Sequence, residues 1–215
     1  LALVAPLGLL IAFVLWCRGG PVWFVQPRFG RGGRRFEMLK FATHHNCVGR
    51  TVTPTGDPRV HLVGRLLRRY RLDELPQLLN VLRGDMALVG PRPEVPANLT
   101  STAADDLAAL QLVRPGLTGL TQLGYAAEDE VLASQRDPVA VYRQLLVPWK
   151  VRLDRRLLAR RTWLGDLRVL FLTPFLLGSK IARRRSSARV LRRLVRPRTA
   201  HTSPGTECAP EVANL

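Results

Sequence analysis

Leu62 to Glu94 reads LVGRLLRRYRLDELPQLLNVLRGDMALVGPRPE, and it decides how the rest of the chain is read. Apolar residues recur at helical spacing from Val60 to Leu82, through Leu62, Leu66, Leu67, Tyr70, Leu75, Leu78, Leu79 and Leu82. At its centre stand two adjacent carboxylates, Asp73 and Glu74, just before Leu75-Pro76. Proline is welcome in the first turn of a helix, so Pro76 is expected to open a second helix with Asp73 near its start. Arg65, Arg68, Arg69 and Arg71 lie immediately upstream. Carboxylates for a nucleophile or a metal, beside guanidiniums for phosphate oxygens, are what phosphoryl transfer requires. The plainer alternative is a solvated helix face laced with Arg–Asp pairs.

Upstream, Val22-Trp23-Phe24-Val25 and Phe36 to Phe41 are β-prone runs on either side of Gly30-Arg31-Gly32-Gly33, which predicts a hairpin. Val48 to Arg59 reads as a loop, as does Asp85 to Pro96. Helices are predicted over Ala103 to Val113, Pro138 to Arg161 and, as an interfacial segment interrupted by Pro174 and Gly178, Trp163 to Ile181. Leu1 to Cys17 carries no charge. A helix of that length falls short of the roughly 30 Å hydrocarbon core, and Pro6 interrupts it. The reading is a kinked, membrane-inserted helix over residues 1–18, in a chain whose own N-terminus lies upstream. A body follows at 19–181, and then a basic, disordered tail at 182–215. The fold class is α+β and mainly helical.

The 33 Lys and Arg against 16 Asp and Glu give a net charge of +17, and only Lys40, Lys150 and Lys180 are lysines. With 47% hydrophobic residues this is no disordered basic tail, so a polyanionic partner is indicated. Cys17, Cys47 and Cys208 have no metal-ligand or paired spacing and read as reduced thiols; His44, His45, His61 and His201 show no zinc pattern either. A nucleic-acid-binding protein would suit the charge. Against it, the chain shows no helix-turn-helix, zinc or RNP-like pattern, and no nucleic-acid partner is expected.

Leu72 to Leu78, Asn80-Val81-Leu82, Gly84-Asp85-Met86 and Val89 to Glu94 resemble the bacterial sugar transferases, the monotopic polyprenyl-phosphate phosphoglycosyl transferases. Val113 to Gly119 with Gln122 is similar to a second signature of that family. Gly20-Pro21-Val22 with Gln26, Arg28 and Gly30, and Asp57 to Val60 with Gly64, Leu67 and Arg68, are similar to earlier ones. The similarity runs from about residue 3 to about 178.

The resemblance implies a domain lying on the cytoplasmic face of the bacterial plasma membrane. A re-entrant helix is broken at a Ser-Pro pair in that family, and Ala5-Pro6 stands in its place here. It implies an Asp-Glu catalytic dyad, matched by Asp73 and Glu74, with Mg2+ bound at Asp73. The reaction implied transfers a sugar phosphate from a nucleotide sugar, usually UDP-linked, to polyprenyl phosphate through a covalent phosphosugar-aspartate, and it primes surface-polysaccharide or glycoconjugate assembly. Arg68, Arg92 and Arg114 are the candidates to offset phosphate charge, with Pro91 and Pro93 stiffening the backbone around Arg92. Lys40 and Asp154 are supporting candidates. Expected partners are the nucleotide sugar, polyprenyl phosphate and the lipid membrane, with a homodimer left open. The chain departs from the family at Lys40-Phe41-Ala42, where an arginine is common, and at Leu123 to Glu128. These departures keep a catalytically inactive adaptor of the same fold as an alternative.

Overall fold

The structure is a computed structural model that describes residues 4–45, 56–124, 132–133 and 135–178. The expected tail and much of the loop after His45 lie outside the described residues. Helix α1 spans Ala5–Cys17 and is followed by the antiparallel hairpin of β1 (Trp23–Phe29) and β2 (Arg35–Phe41). Its register runs from Trp23 opposite Phe41 at the open end to Phe29 opposite Arg35 at the tip. Left-handed Gly32 and Gly33, at φ 68° and 71°, close the tip as a single 3-10 turn, as the glycines there predict.

Pro6 falls in the first turn of α1. There its missing N–H is one of the donors a helix start leaves unpaired, and residues 1–3, on which the expected kink turns, lie outside the described residues. Ile11 and Leu15 are buried against Phe41 and Leu67, at the open end of the hairpin. Leu9, Leu10, Phe13 and Trp16 of α1 are exposed. No helix among the described residues is long and apolar enough to cross a membrane.

The helical run expected from Val60 to Leu82 is broken into three pieces. Helix α2 (Leu62–Arg69) is capped by His61, whose Nδ1 accepts from the Gly64 amide at 2.7 Å. Arg71 is left-handed at φ 57° and leads into a 3-10 turn at Leu72–Glu74. Pro76 then opens α3 (Gln77–Arg83), as its position in the sequence suggests, and α3 ends on left-handed Gly84. The apolar spacing is continuous across the break, which is why periodicity alone could not show it.

The segment read as a loop after Asp85 contains a short strand, β3 (Ala87–Val89), parallel to β4 (Gly116–Thr118). The crossover between them carries α4 (Ala104–Gln111), since parallel neighbours need a long connection. After β4 come α5 (Leu120–Gly124), α6 (Pro138–Val141), a π-helical segment (Tyr142–Leu146), α7 (Val147–Leu158) and α8 (Trp163–Gly178). Leu99, Leu132, Tyr142, Leu146, Val147 and Val151 form the second core.

The β3–β4 contact depends on glycine. A Cβ on Gly116 would stand 2.1 Å from the Gly90 amide nitrogen, and backbone cannot yield there. Gly116→Ala is expected to cost at least about 3 kcal/mol, read as a fall in urea midpoint with m unchanged. A stability within about 0.5 kcal/mol of the parent would show that the two strands do not meet this closely.

Candidate active site

The break at Arg71 turns Asp73 and Glu74 inward, and both are buried. One oxygen of Glu74, Oε1, collects three cations from three places in the chain. Lys40 Nζ, from β2, stands at 3.3 Å, Arg71 Nη1 at 3.1 Å and Arg92 Nη2 at 3.2 Å. Burial alone would push the Glu74 carboxyl up, but Lys40, Arg92 and Arg71 together outweigh it and hold the group well below the usual range. Glu74 is therefore an ionised hub at neutral pH and holds no proton to exchange there. Burial also pulls the Lys40 ammonium down, against the pull of Glu74.

Asp73 is different. Burial raises its carboxyl above the ordinary value despite Lys40, and its Oδ1 has no hydrogen-bond partner in the structure. A buried carboxylate oxygen without a partner is expensive, and such atoms cluster where a ligand or reaction supplies what is missing. Asp73 and Glu74 thus sit side by side with their proton affinities driven in opposite directions.

Arg68, on the last turn of α2, is close enough for its charge to bear on Asp73. Arg92 joins the dyad directly. Arg114 does not pair with it: its guanidinium lies 3.9 Å from where a Cβ on Gly84 would stand, at the far end of α3. Its backbone runs beside Gly90, two residues before Arg92.

Arg92 is braced from behind by residues that sequence analysis did not single out for a role. Arg28 is buried and donates from Nη1 to the Pro93 carbonyl at 2.9 Å, and the same atom stands 4.0 Å from Glu94. Burial lowers the Arg28 guanidinium to about 10. The Tyr142 hydroxyl is 3.0 and 3.1 Å from the two Glu94 oxygens, and Lys150 Nζ is 3.9 Å from Glu94. Arg28 was visible only as a member of a short motif, and its partner lies 65 residues away. Asn80, wholly buried, ties the other side. It accepts from the Leu39 amide at 3.0 Å and donates to the Glu37 carbonyl at 2.8 Å and to Asp85 at 3.2 Å, so α3 is locked to the strand that carries Lys40.

Asp154, on α7, belongs to the rear network. It accepts a short hydrogen bond from the Thr121 hydroxyl, and burial pushes its carboxyl up to about 6. Its folded pKa thus exceeds its unfolded value, so ionising it penalises the fold. The penalty is absent below the unfolded pKa and complete above about 6. Asp154→Asn, which keeps an acceptor for Thr121, is expected to stabilise the protein by roughly 1–3 kcal/mol at pH 8 and by little at pH 4. Thermal melts at the two pH values check it. An equal effect at both would place Asp154 in an environment that tolerates its charge.

Whether the site suits Mg2+ follows from its donors. Among the described residues no group of three or more His, Cys, Asp or Glu side chains could hold a metal. What Asp73 offers is a hard carboxylate oxygen without a protein partner. That fits Mg2+, which keeps most of its waters and is commonly held by one or two carboxylates together with substrate phosphates.

Comparison with known proteins comes down to one family. The family model described as bacterial sugar transferase matches residues 1–180. A UDP-glucose:undecaprenyl-phosphate glucose-1-phosphate transferase of Caulobacter vibrioides is 43% identical over 167 residues, which is 74% of this chain and 62% of that protein. An undecaprenyl-phosphate glucose phosphotransferase of Komagataeibacter xylinus is 37% identical over 79% of this chain and 32% of its own length. The exopolysaccharide production protein ExoY of Rhizobium meliloti is 38% identical over 72% of this chain and 74% of its own. The chain thus spans from about a third to about three quarters of the length of these relatives.

Proposed function

Because the chain belongs to the bacterial sugar transferase family, we propose that it transfers a sugar phosphate from a nucleotide sugar, UDP-linked, to polyprenyl phosphate. Asp73 is the nucleophile. Its carboxylate oxygen bonds to the β-phosphorus of the donor while the bond from that phosphorus to the bridging oxygen breaks, and the nucleoside monophosphate leaves. A phosphate oxygen of the polyprenyl acceptor then bonds to the same phosphorus and releases Asp73. The products are polyprenyl diphosphosugar and nucleoside monophosphate, the first step of a surface polysaccharide or glycoconjugate.

The observation that carries this reading is the contrast within the dyad. Glu74 is saturated by Lys40, Arg71 and Arg92, whereas Asp73 is buried beside it with an oxygen to spare. A carboxylate that must attack a phosphate anion needs the repulsion suppressed, and this reading gives that part to Arg92, Arg68 and Lys40. The backbone beside Arg92 is anchored by the Arg28 grip on the Pro93 carbonyl and its side chain by Glu74, so little freedom is lost on binding. Asp73 would hold Mg2+, which would supply further charge neutralisation.

The acceptor and product carry a polyprenyl chain, so the domain must reach a bilayer. Exposed Leu9, Phe13 and Trp16 of α1, with Trp163 and Phe171 of α8, are the surfaces proposed to enter the cytoplasmic leaflet of the plasma membrane.

The test uses detergent-solubilised protein, Mg2+, polyprenyl phosphate and a panel of nucleotide sugars. Nucleoside monophosphate and a lipid-linked phosphosugar are expected from at least one donor. Release of diphosphate would mean ordinary glycosyl transfer and a different mechanism. No product from any donor by a folded protein would point to the adaptor.

A further inference from the structure

The hairpin tip carries arginines that the transfer site does not use. Arg31, Arg34 and Arg35 are exposed, and among the described residues none lies within ion-pair distance of a carboxylate. Together with Gly30, Gly32, Phe36, Gly84 and Asp85 they line a cleft of about 430 Å³ between the tip and the turn after α3. Asp85 is the one acid of the lining, and it is held by the Asn80 amide at 3.2 Å. Arg114 reaches the same turn, beside Gly84.

We propose that this cleft is a second anion site and that its ligand is a soluble nucleoside phosphate. Guanidiniums recognise phosphate through paired, planar N–H donors, and three of them around one cleft form a strong field for a diphosphate. The Phe36 ring, partly buried against Gly30, gives the same cleft an apolar face on which a base can rest. The scaffold is firm. The register places the tip at the end of a seven-residue pairing, and Gln111 of α4 packs against Gly33.

Its position argues against a lipid phosphate as the ligand. Helix α1 packs at the open end of the hairpin, against Phe41, and the arginines stand at the opposite end. At about 3.3 Å per residue, Arg35 is on the order of 15 Å along β2 from Lys40. A ligand whose phosphates rest in this cleft cannot present its β-phosphorus to Asp73, so it is a soluble ligand separate from the transfer donor, and the assignment does not rest on the function proposed above.

Isothermal titration with UDP and with inorganic pyrophosphate, on the full chain in detergent, tests the site. The cleft variant is R31A/R34A/R35A. The control, R183A/R184A/R185A, removes the same charge from the tail. UDP is expected to bind more tightly than pyrophosphate, and its affinity to fall at least about 10-fold in the cleft variant alone, with melting temperature unchanged because these side chains are exposed. Unchanged UDP affinity in the cleft variant, or an equal fall in the control, would overturn the proposal.

The transfer assay separates this site from the dyad. KM for the nucleotide sugar is expected to be unchanged in the cleft variant, and a rise by the same factor as the UDP Kd would place the lost contact in the transfer site and overturn the proposal. Should the transfer reading itself fail, no donor would turn over, and the titration would still report on the cleft.

Discussion

Asp73→Asn is expected to abolish transfer, by at least about a thousandfold, while leaving the fold as stable as the parent or more so. Asparagine keeps the shape of the side chain and removes the nucleophilic oxygen. In the folded protein burial raises the Asp73 carboxyl, so ionising it works against folding above its folded pKa and has no effect below the unfolded one. The neutral amide escapes that penalty, and any gain in melting temperature is therefore expected near neutrality and not in acid. Full activity in Asp73→Asn would remove Asp73 from the chemistry.

Glu74→Gln carries the second large effect, and its sign on stability is opposite. Removing the charge takes from Lys40, Arg71 and Arg92, all partly buried, the carboxylate oxygen on which they converge. Breaking a buried ion cluster on one side costs several kcal/mol where solvent is excluded, and these cations are partly screened, so a loss of about 2–3 kcal/mol is expected. The Glu74 carboxyl is depressed in the fold, which means its contribution is complete above the unfolded glutamate pKa and disappears as pH falls through the folded value. Denaturation of parent and variant should differ most near pH 7 and converge in strong acid. A gap independent of pH would mean that Glu74 acts through packing and not through its charge. Transfer should fall as well, since Arg92 loses the group that positions it.

The readable part of this protein was local. Glycines at the tip announced the hairpin, Pro76 announced the start of α3, and the helix expected over Ala103 to Val113 is there as α4. Asp73 and Glu74 stood out because neighbouring carboxylates beside a proline and several arginines are unusual within one apolar run. What remained hidden depends on groups distant in sequence. The left-handed turn at Arg71 leaves no trace in hydrophobic spacing, yet it points the dyad inward. Strands of three residues such as β3 and β4 are too short to show alternation, and only Gly90 and Gly116, meeting without side chains, make their contact close. Arg28, Tyr142 and Lys150 converge on Glu94 from other elements, so their joint role appears only once the chain is folded. Arg114 is another case. Its motif suggested phosphate, and the fold sets its guanidinium beside the Gly84 turn, a neighbour that spacing alone does not show.

The central claim is that Asp73 carries the phosphosugar between donor and acceptor. Intact-mass measurement after brief exposure to a nucleotide sugar and Mg2+, with no polyprenyl phosphate, tests it most directly. The account predicts a gain equal to one sugar phosphate on the parent, mapped by peptide sequencing to Asp73, absent in Asp73→Asn and removed on adding polyprenyl phosphate. An unmodified protein under conditions where the same donor is turned over with acceptor present would contradict it, and so would an adduct mapped to any other residue.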